Sequence, residues 1–164
     1  MKTCFIFLDV DGVLNNKKRL KKFYNKYHMA ASCWLMPFDR HNLRALNLLY
    51  KYCKKHYNTF IVLSSTWRLG QEDRAVVASR LYEYGMPLTA DIQKFCLDRG
   101  RLIRNYLSDQ EYIYDRSFIL DDDSFDIVDY LTRKDIFIQP DRKNGLTYRK
   151  VFHAILSDLV KRHK

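Results

Sequence analysis

The sequence predicts an open, mainly parallel α/β sheet that is covered by helices on both faces, within a single domain of residues 1–164. Three observations lead to this fold class. Short, continuous apolar runs, typical of strands buried on both faces, recur along the chain. Segments with one apolar helical face alternate with these runs, as in parallel α/β proteins. Three of the runs are followed directly by polar or acidic residues, at the strand ends where such sheets place their sites.

Each element has its own signal in the sequence. Strands are predicted for the apolar runs at residues 5–8, 59–63, 117–120 and 135–138. A helix begins after a cap at Asp39 and runs through about residue 55, and another covers residues 75–84 and is ended by Gly85 and Pro87. Two shorter helices are predicted, one over residues 101–107 and one that holds Phe125, Val128 and Leu131. Thr147 caps a last helix, whose inner side is predicted to contain Val151, Phe152, Ile155, Leu156 and Leu159.

The composition indicates a compact protein that keeps its thiols reduced. With 47% hydrophobic and 29% charged residues in 164, the chain can bury a core without disulfides. Its four cysteines form no C-x-x-C pair, which favours a cytosolic or nuclear setting over secretion. The apolar N-terminal stretch is interrupted by Asp9 and Asp11, and no apolar run approaches the ~18 residues of a membrane span. We therefore expect a soluble protein without a signal peptide or a membrane contact.

The formal net charge of +10 favours a polyanionic partner. Much of the excess lies in one segment, which contains Lys17, Lys18, Arg19, Lys21, Lys22 and Lys26, interleaved with Phe23, Tyr24 and Tyr27. Basic residues beside rings that can stack on bases suit single-stranded nucleic acid. A solvated cationic loop is the alternative interpretation of the same segment.

Polar groups follow three of the predicted strands. The first strand is followed by Asp9 and Asp11, the second by Ser64 and Ser65, and the third by the pair Asp121-Asp122. Clustered carboxylates repel one another, and they are usually held together by a cation or by a raised pKa. Ligands that are all oxygen suit a hard cation such as Mg²⁺. The pattern predicts phosphoryl transfer, with one carboxylate as nucleophile and its neighbour as general acid and base; the alternative is a purely architectural acidic edge.

The segment Asp9-Val10-Asp11-Gly12-Val13 resembles the D-x-D-G-[VT] signature of the haloacid dehalogenase (HAD) superfamily, whose phosphatases form a phospho-aspartyl intermediate. A closer resemblance is to the small HAD domains of "Swiss Army Knife" RNA-repair proteins. It rests on an ordered set of short motifs: FLDVDGVLN, VLSSTWR, Arg99-Gly100, ILDDD and Gly145-Leu146-Thr147. Together these motifs cover essentially the whole chain. The resemblance implies a Rossmann-like HAD core.

The same resemblance implies roles for individual residues. Asp9 would be the nucleophile and a metal ligand, and Asp11 the general acid and base, which also offers Mg²⁺ its main-chain carbonyl. Ser64 would hydrogen-bond the transferring phosphoryl group, and Asp121 with Asp122 would hold Mg²⁺. Asp126 is a reserve ligand, or else a residue of the first turn of a helix.

The cationic residue of the site is less sharply defined by the sequence. Arg99 matches the family's R-G pattern best, but Arg101 and Lys94 are close enough to compete for this role.

Further residues are expected to contact the substrate. Arg68 leaves a strand end in the presumed site and is expected to touch phosphate, and Ser65, Lys17 and Lys18 are also expected to bind substrate. Trp67 either stacks on a base or packs against the sheet edge, and packing is favoured.

The chain between the first strand and the helix at Asp39 has room only for a small flap, at residues 16–38, instead of a full cap domain. An open site suits a phosphate at the end of a large molecule. We therefore predict a Mg²⁺-dependent phosphomonoesterase that acts on a terminal phosphate of RNA or DNA. One alternative is a phosphatase for nucleotides or other small phosphate esters, and another is a non-catalytic nucleic-acid-binding module.

Overall fold

The computed structural model describes residues 2–27, 38–92, 98–109 and 114–162. Five parallel strands form one sheet: β1 (Thr3–Leu8), β2 (Asn58–Leu63), β3 (Leu88–Asp91), β4 (Arg116–Leu120) and β5 (Asp135–Ile138). Five α-helices accompany them: α1 (Lys17–Tyr27), α2 (Arg40–His56), α3 (Gln71–Tyr82), α4 (Arg99–Asp109) and α5 (Tyr148–Arg162). Short 3₁₀ helices cover Thr66–Leu69 and Val128–Tyr130.

The strand order is β3-β2-β1-β4-β5, so the direction in which strands are added reverses between β1 and β4. Such a reversal opens a crevice at the carboxyl ends of the strands. The register places Leu8 of β1 opposite both Leu63 of β2 and Leu120 of β4. The three strands therefore end at the same level, and the residues that follow them share one edge.

The sheet is buried on both faces, which explains the continuous apolar runs. One face packs against α2, α3 and α5 through alternate strand residues such as Ile6 and Leu8. The opposite face packs against α4 through Phe5 and Phe7. The alternation of side chains along β1 thus supplies both halves of the core.

The predicted α/β fold class is confirmed, and the four predicted strands are present. The sequence analysis missed β3, because its short sequence LTAD lacks a continuous apolar run and it lies at the sheet edge. It also missed α1, which is a helix and not a cationic loop. The helix predicted over residues 75–84 begins earlier, at Gln71, and the one predicted over 101–107 begins at Arg99. Asp39 caps α2 as predicted, because its side chain accepts a hydrogen bond from the His41 amide.

Two predictions about helical packing are wrong. Phe125 is 92% exposed, and the segment around it has only the 3₁₀ helix that begins at Val128. On α5, Phe152 and Leu156 are 55% and 58% exposed, whereas the buried positions are Val151, Ala154 and Asp158. The inner face of α5 includes a buried carboxylate beside Val151 and Ala154, and a pattern of apolar residues does not reveal it.

The described cysteines are both buried free thiols, Cys4 and Cys53; Cys33 and Cys96 lie outside the described residues. Within the ranges that the structure describes, no helix has the length and apolar content needed to cross a membrane. The cytosolic or nuclear setting stays a prediction.

Asp158 joins α5 to α2 and to the sheet. Its carboxylate accepts hydrogen bonds from the hydroxyls of Tyr52 at 2.6 Å and Tyr57 at 2.9 Å, and it pairs with Arg116 at 2.6 Å. Both charged side chains of this pair are buried. Removing one charge would leave the other unpaired in the interior, which is costly.

We expect Asp158→Asn to lower the free energy of unfolding by about 3–5 kcal/mol, because Arg116 would keep its buried charge without a counter-ion. Urea denaturation measures this loss. The exposed Asp129→Asn is the matched control and should change stability by less than about 0.5 kcal/mol. An Asp158→Asn protein as stable as the control would contradict the assignment.

Candidate active site

The candidate active site is built on the ends of β1, β2 and β4. The first residue after each of these strands is still held by a main-chain hydrogen bond to a neighbouring strand. The Asp9 amide donates to the Leu120 carbonyl at 2.9 Å, and the Ser64 amide donates to the Leu8 carbonyl at 3.0 Å. The Asp121 amide likewise donates to the Ile138 carbonyl of β5 at 3.2 Å. The main chain of these three site residues is therefore still tied to the sheet.

A cleft of about 340 Å³ opens at this edge. Sheet-end residues and residues of α1 and α4 line it together: Asp9, Asp11, Gly12, Asn15, Lys17, Leu20, Ser65, Thr66, Arg99, Asp122, Asp123 and Arg142. Most of the side chains that the sequence analysis selected thus meet in one place.

Three carboxylates converge at the edge of the sheet where the cleft opens. Asp9, Asp121 and Asp122 each offer one oxygen, and these oxygens lie within 4.8 Å of one another. Gly12 makes room for them: its φ is +79°, and a Cβ at this position would collide with the Asp122 carboxylate. The glycine is needed both for its backbone conformation and for the close approach.

Two arginines contact these carboxylates. The Arg99 guanidinium contacts Asp121 and lies 3.5 Å from Asp9 Oδ1. The Arg142 guanidinium contacts Asp122 and lies 3.5 Å from Asp123 Oδ2. The sequence analysis missed Arg142, because it lies in a turn after β5 and belongs to none of the recognised motifs.

The pKa of Asp9 is raised from its usual 3.8 to about 7, chiefly because the carboxyl group is buried and also because Asp121 carries a nearby negative charge. Arg99 and a hydrogen bond from the Ser65 side chain partly oppose this rise. Burial also raises the pKa of Asp121. The pair shares a site in which two full negative charges are unfavourable unless a cation is near.

Asp11 stands apart from these three carboxylates. Its Oδ2 accepts a hydrogen bond from the Trp67 indole Nε1 at 2.8 Å, and its Oδ1 accepts one from Asn15 Nδ2 at 3.3 Å. The Trp67 ring also packs edge-on against Phe38, with ring centres 5.7 Å apart. Trp67 is therefore a packing residue, as favoured from sequence, but it also holds a carboxylate that points into the cleft.

The two serines after β2 have different surroundings. Ser65 lines the cleft and hydrogen-bonds Asp9. Ser64 is buried, and its hydroxyl has no hydrogen-bond partner among the described residues. The role of Ser64 stays a prediction, while the hydroxyl that lies against Asp9 belongs to Ser65.

Arg68 is turned toward the backbone. Its guanidinium donates to the carbonyls of Ile92 at 2.7 Å, Ser64 at 3.0 Å and Ser65 at 2.8 Å. These bonds brace the loop after β2, so its contact with phosphate stays a prediction. Lys17 lines the cleft, but Lys18 lines a separate cavity on another side of α1.

Among the three candidates for the cationic residue, Arg99 is the one placed against Asp9. Arg101 is exposed, and Lys94 lies outside the described residues. Asp126, the reserve ligand, accepts a hydrogen bond from the Arg99 amide at 2.7 Å and so holds the first residue of α4. In the described chain, the three carboxylates that converge do not include it.

The oxygen donors fit a hard divalent cation. Three carboxylates with nearby ligand atoms and no sulfur or imidazole among them are typical of Mg²⁺ sites. The raised pKa of Asp9 agrees with such a site. Burial and the charge of Asp121 make the ionised form of Asp9 unfavourable, and a bound cation would offset this cost.

Comparison with known proteins adds the family. The model of the family described as "HAD domain in Swiss Army Knife RNA repair proteins" matches residues 5–151. Searches of curated proteins and of solved structures gave no match. The matched range contains β1 from Phe5 onward, the other four strands of the sheet and all the carboxylates of the cleft. The chain therefore belongs to the HAD domains of the Swiss Army Knife RNA-repair family.

Proposed function

We propose that the chain is a Mg²⁺-dependent phosphomonoesterase that removes a terminal phosphate from RNA or DNA through an aspartyl-phosphate intermediate. The observation that carries this proposal is that two carboxylates of one cleft have different surroundings. Asp9 lies among carboxylates and beside Arg99, whereas Asp11 is held apart from them by Trp67. Covalent phosphoryl transfer needs a nucleophile and a separate proton donor in this way.

In the first step, an Asp9 carboxylate oxygen attacks phosphorus, and the bond from phosphorus to the ester oxygen breaks. The departing oxygen takes a proton from the Asp11 carboxyl group. In the second step, Asp11 accepts a proton from water, which attacks the phosphorus of the aspartyl phosphate. Inorganic phosphate leaves, and the Asp9 carboxylate is restored. The hydrogen bonds from Trp67 and Asn15 keep Asp11 at the cleft for both proton transfers.

Other residues of the cleft orient the reacting groups. Arg99 lies 3.5 Å from Asp9 Oδ1, where it can align the nucleophile and attract the phosphoryl oxygens. Ser65 is placed to donate a hydrogen bond to the Asp9 carboxylate. Asp9, Asp121 and Asp122, with the main-chain carbonyl of Asp11, would hold Mg²⁺, which when bound neutralises charge on the transferred phosphoryl group.

A nucleic-acid end is the substrate that fits the surroundings of the cleft. Leu20 of α1 lines it, and Tyr24, one helical turn further on, is exposed on the same side of the helix. An exposed ring in this position can stack on a base, and Lys17, which lines the cleft at the start of α1, can attract phosphate. The family of the domain is named for RNA repair, which favours the same class of substrate. We take residues 1–164 as one domain, in which α1 is the described part of the flap.

We expect Asp9→Asn to reduce phosphate release from a phosphorylated oligonucleotide by at least about 10³-fold, because the variant lacks the nucleophile. Release is measured with Mg²⁺ across 3′- and 5′-phosphorylated RNA, DNA and mononucleotides, and Asp129→Asn serves as the control. Activity that survives in Asp9→Asn would overturn the nucleophile assignment. Equal kcat/KM for mononucleotides and oligonucleotides, without salt dependence, would favour a small-ester phosphatase instead.

Trp67→Phe should slow turnover selectively, because the phenyl ring keeps the contact with Phe38 but cannot donate to Asp11. For a nucleotide or alkyl phosphate, whose leaving oxygen needs a proton, we expect kcat/KM to fall about tenfold or more. For p-nitrophenyl phosphate, whose leaving group departs without a proton, kcat/KM should change little. An equal loss for both esters would show that Trp67 acts only through packing.

The pH dependence of stability tests the placement of Asp9 in the acidic cluster and requires no measurement of enzyme activity. Because the folded protein raises the pKa of Asp9 from 3.8 to about 7, the unfolded chain binds fewer protons between these values. The contribution of Asp9 to stability is therefore lost as pH rises through this interval. In thermal melts with a chelator, the drop in Tm from pH 5 to pH 8 should be larger for wild type than for Asp9→Asn.

Mg²⁺ should reverse part of this loss. At pH 8 it should raise the Tm of wild type more than that of Asp9→Asn, since the variant offers one carboxylate fewer. Identical pH profiles and identical Mg²⁺ responses in the two proteins would contradict the placement of Asp9 in a cation site.

A further inference from the structure

A second cavity, of about 680 Å³, lies on another side of α1 from the catalytic cleft. Its lining comes from the starts of α1 and α2 and from the turn before α5: Asn16, Lys18, Arg19, Lys22, Asp39, Arg40, His41 and Asn144. It shares no lining residue with the cleft. We call it the basic cavity.

The basic cavity and the cleft are neighbours, separated only by the beginning of α1. Asn15 and Lys17 line the cleft, whereas the intervening Asn16 and the following Lys18 line the basic cavity. A chain molecule that leaves the cleft over the first turns of α1 therefore reaches the basic cavity directly.

The basic cavity has an excess of positive charge. Lys18, Arg19, Lys22 and Arg40 contribute four cations, and within the described residues none of them takes part in an ion pair. The sequence contains no Asp or Glu between Asp11 and Asp39. No side chain of this segment can therefore neutralise the lysines and the single arginine of α1.

The single acidic residue that lines the basic cavity already accepts hydrogen bonds at both of its carboxylate oxygens. Asp39 Oδ1 accepts a hydrogen bond from the His41 amide at 2.8 Å, and Asp39 Oδ2 accepts one from Asn16 Nδ2 at 3.1 Å. Arg40 and His41 are the first residues of the 17-residue helix α2, so the positive end of the helix adds to the charge of the side chains.

Hydrogen bonds between buried residues join the three elements that line the basic cavity. Asn16 Nδ2 donates to Asn42 Oδ1 at 2.8 Å, and Asn42 Nδ2 donates to the carbonyls of Asn144 at 3.0 Å and Leu146 at 2.6 Å. Both asparagine side chains are buried. A Cβ at Gly145, where φ is +70°, would lie 2.7 Å from Asn42 Oδ1. This junction ties α1, α2 and the turn together, so the main chain from which the surrounding cations project is held in place.

We propose that the basic cavity binds an internal phosphate of the nucleic-acid strand whose terminal phosphate lies in the cleft. The strand then crosses α1 from the cleft to the basic cavity, with Lys17 and Lys18 beneath it. This inference rests on the proposed function and extends it from a terminal phosphate to a strand of several nucleotides. Uncompensated cations on a fixed frame, next to the cleft, are the features that favour a phosphodiester chain over an isolated small anion.

Binding to the inactive Asp9→Asn protein tests the proposal. Fluorescently labelled, terminally phosphorylated single strands are titrated against this protein and against the same protein with Lys22→Gln and Arg40→Gln. The two added substitutions should weaken binding about tenfold or more and reduce the slope of log Kd against log salt by about 1. The control carries Lys51→Gln and Lys55→Gln on α2, loses the same charge away from the basic cavity, and should bind nearly as tightly as the parent.

Three results would overturn the proposal. The cavity and control substitutions could weaken binding equally, which would reduce the effect to net charge. The cavity substitutions could have no effect on the oligonucleotide. They could also weaken a phosphorylated mononucleotide as much as the oligonucleotide, which would assign the cavity to the terminal phosphate.

The failure of the proposed function would look different. It would appear as absent phosphate release by the wild-type protein with Mg²⁺, whereas the binding measurements do not depend on turnover. In the active background, Lys22→Gln with Arg40→Gln should leave the turnover of p-nitrophenyl phosphate unchanged while lowering kcat/KM for the oligonucleotide.

Discussion

The alignment of three strand ends is the constraint on which the site depends. Leu8, Leu63 and Leu120 lie side by side, and all three are buried in the core on the same face of the sheet. The next residue along each strand has no freedom to move away, because its amide is held by a neighbouring strand. Apolar burial, the largest favourable contribution to folding, therefore places Asp9 and Asp121 together despite their repulsion.

The negative charge at this edge of the sheet is offset by two arginines from other parts of the fold. Arg99 begins α4 and Arg142 lies in the turn after β5, yet both guanidinium groups contact carboxylates of the cleft. The pKa of Asp9 is still raised to about 7, chiefly by burial, so Arg99 compensates the buried charge only in part. A site with residual negative charge and oxygen donors is suited to a divalent cation, and this suitability is independent of any particular substrate.

The charge outside the cleft has the opposite sign. The cations of α1 have no acidic neighbours in sequence, and Asp39, which directly precedes Arg40 of α2, is engaged by hydrogen bonds. An acidic cleft next to a basic cavity is an arrangement in which a metal and a polyanion can be bound by separate surfaces. The buried asparagines between α1, α2 and the turn at Gly145 keep these two surfaces in a constant relation.

The sequence by itself determined the fold class, four of the five strands, and the meeting of Asp9 with Asp121 and Asp122. Apolar periodicity is a local property, and the residues that follow parallel strands come to the same edge of the sheet. Only the tertiary structure decided which cation contacts Asp9, that Ser65 lines the cleft beside Asp9, and that Trp67 holds Asp11. It also decided the inner face of α5, where Asp158 is buried and Phe152 is exposed. These features depend on contacts between residues far apart in the chain, and such contacts are set by how whole elements pack and not by the local pattern of apolar and polar residues.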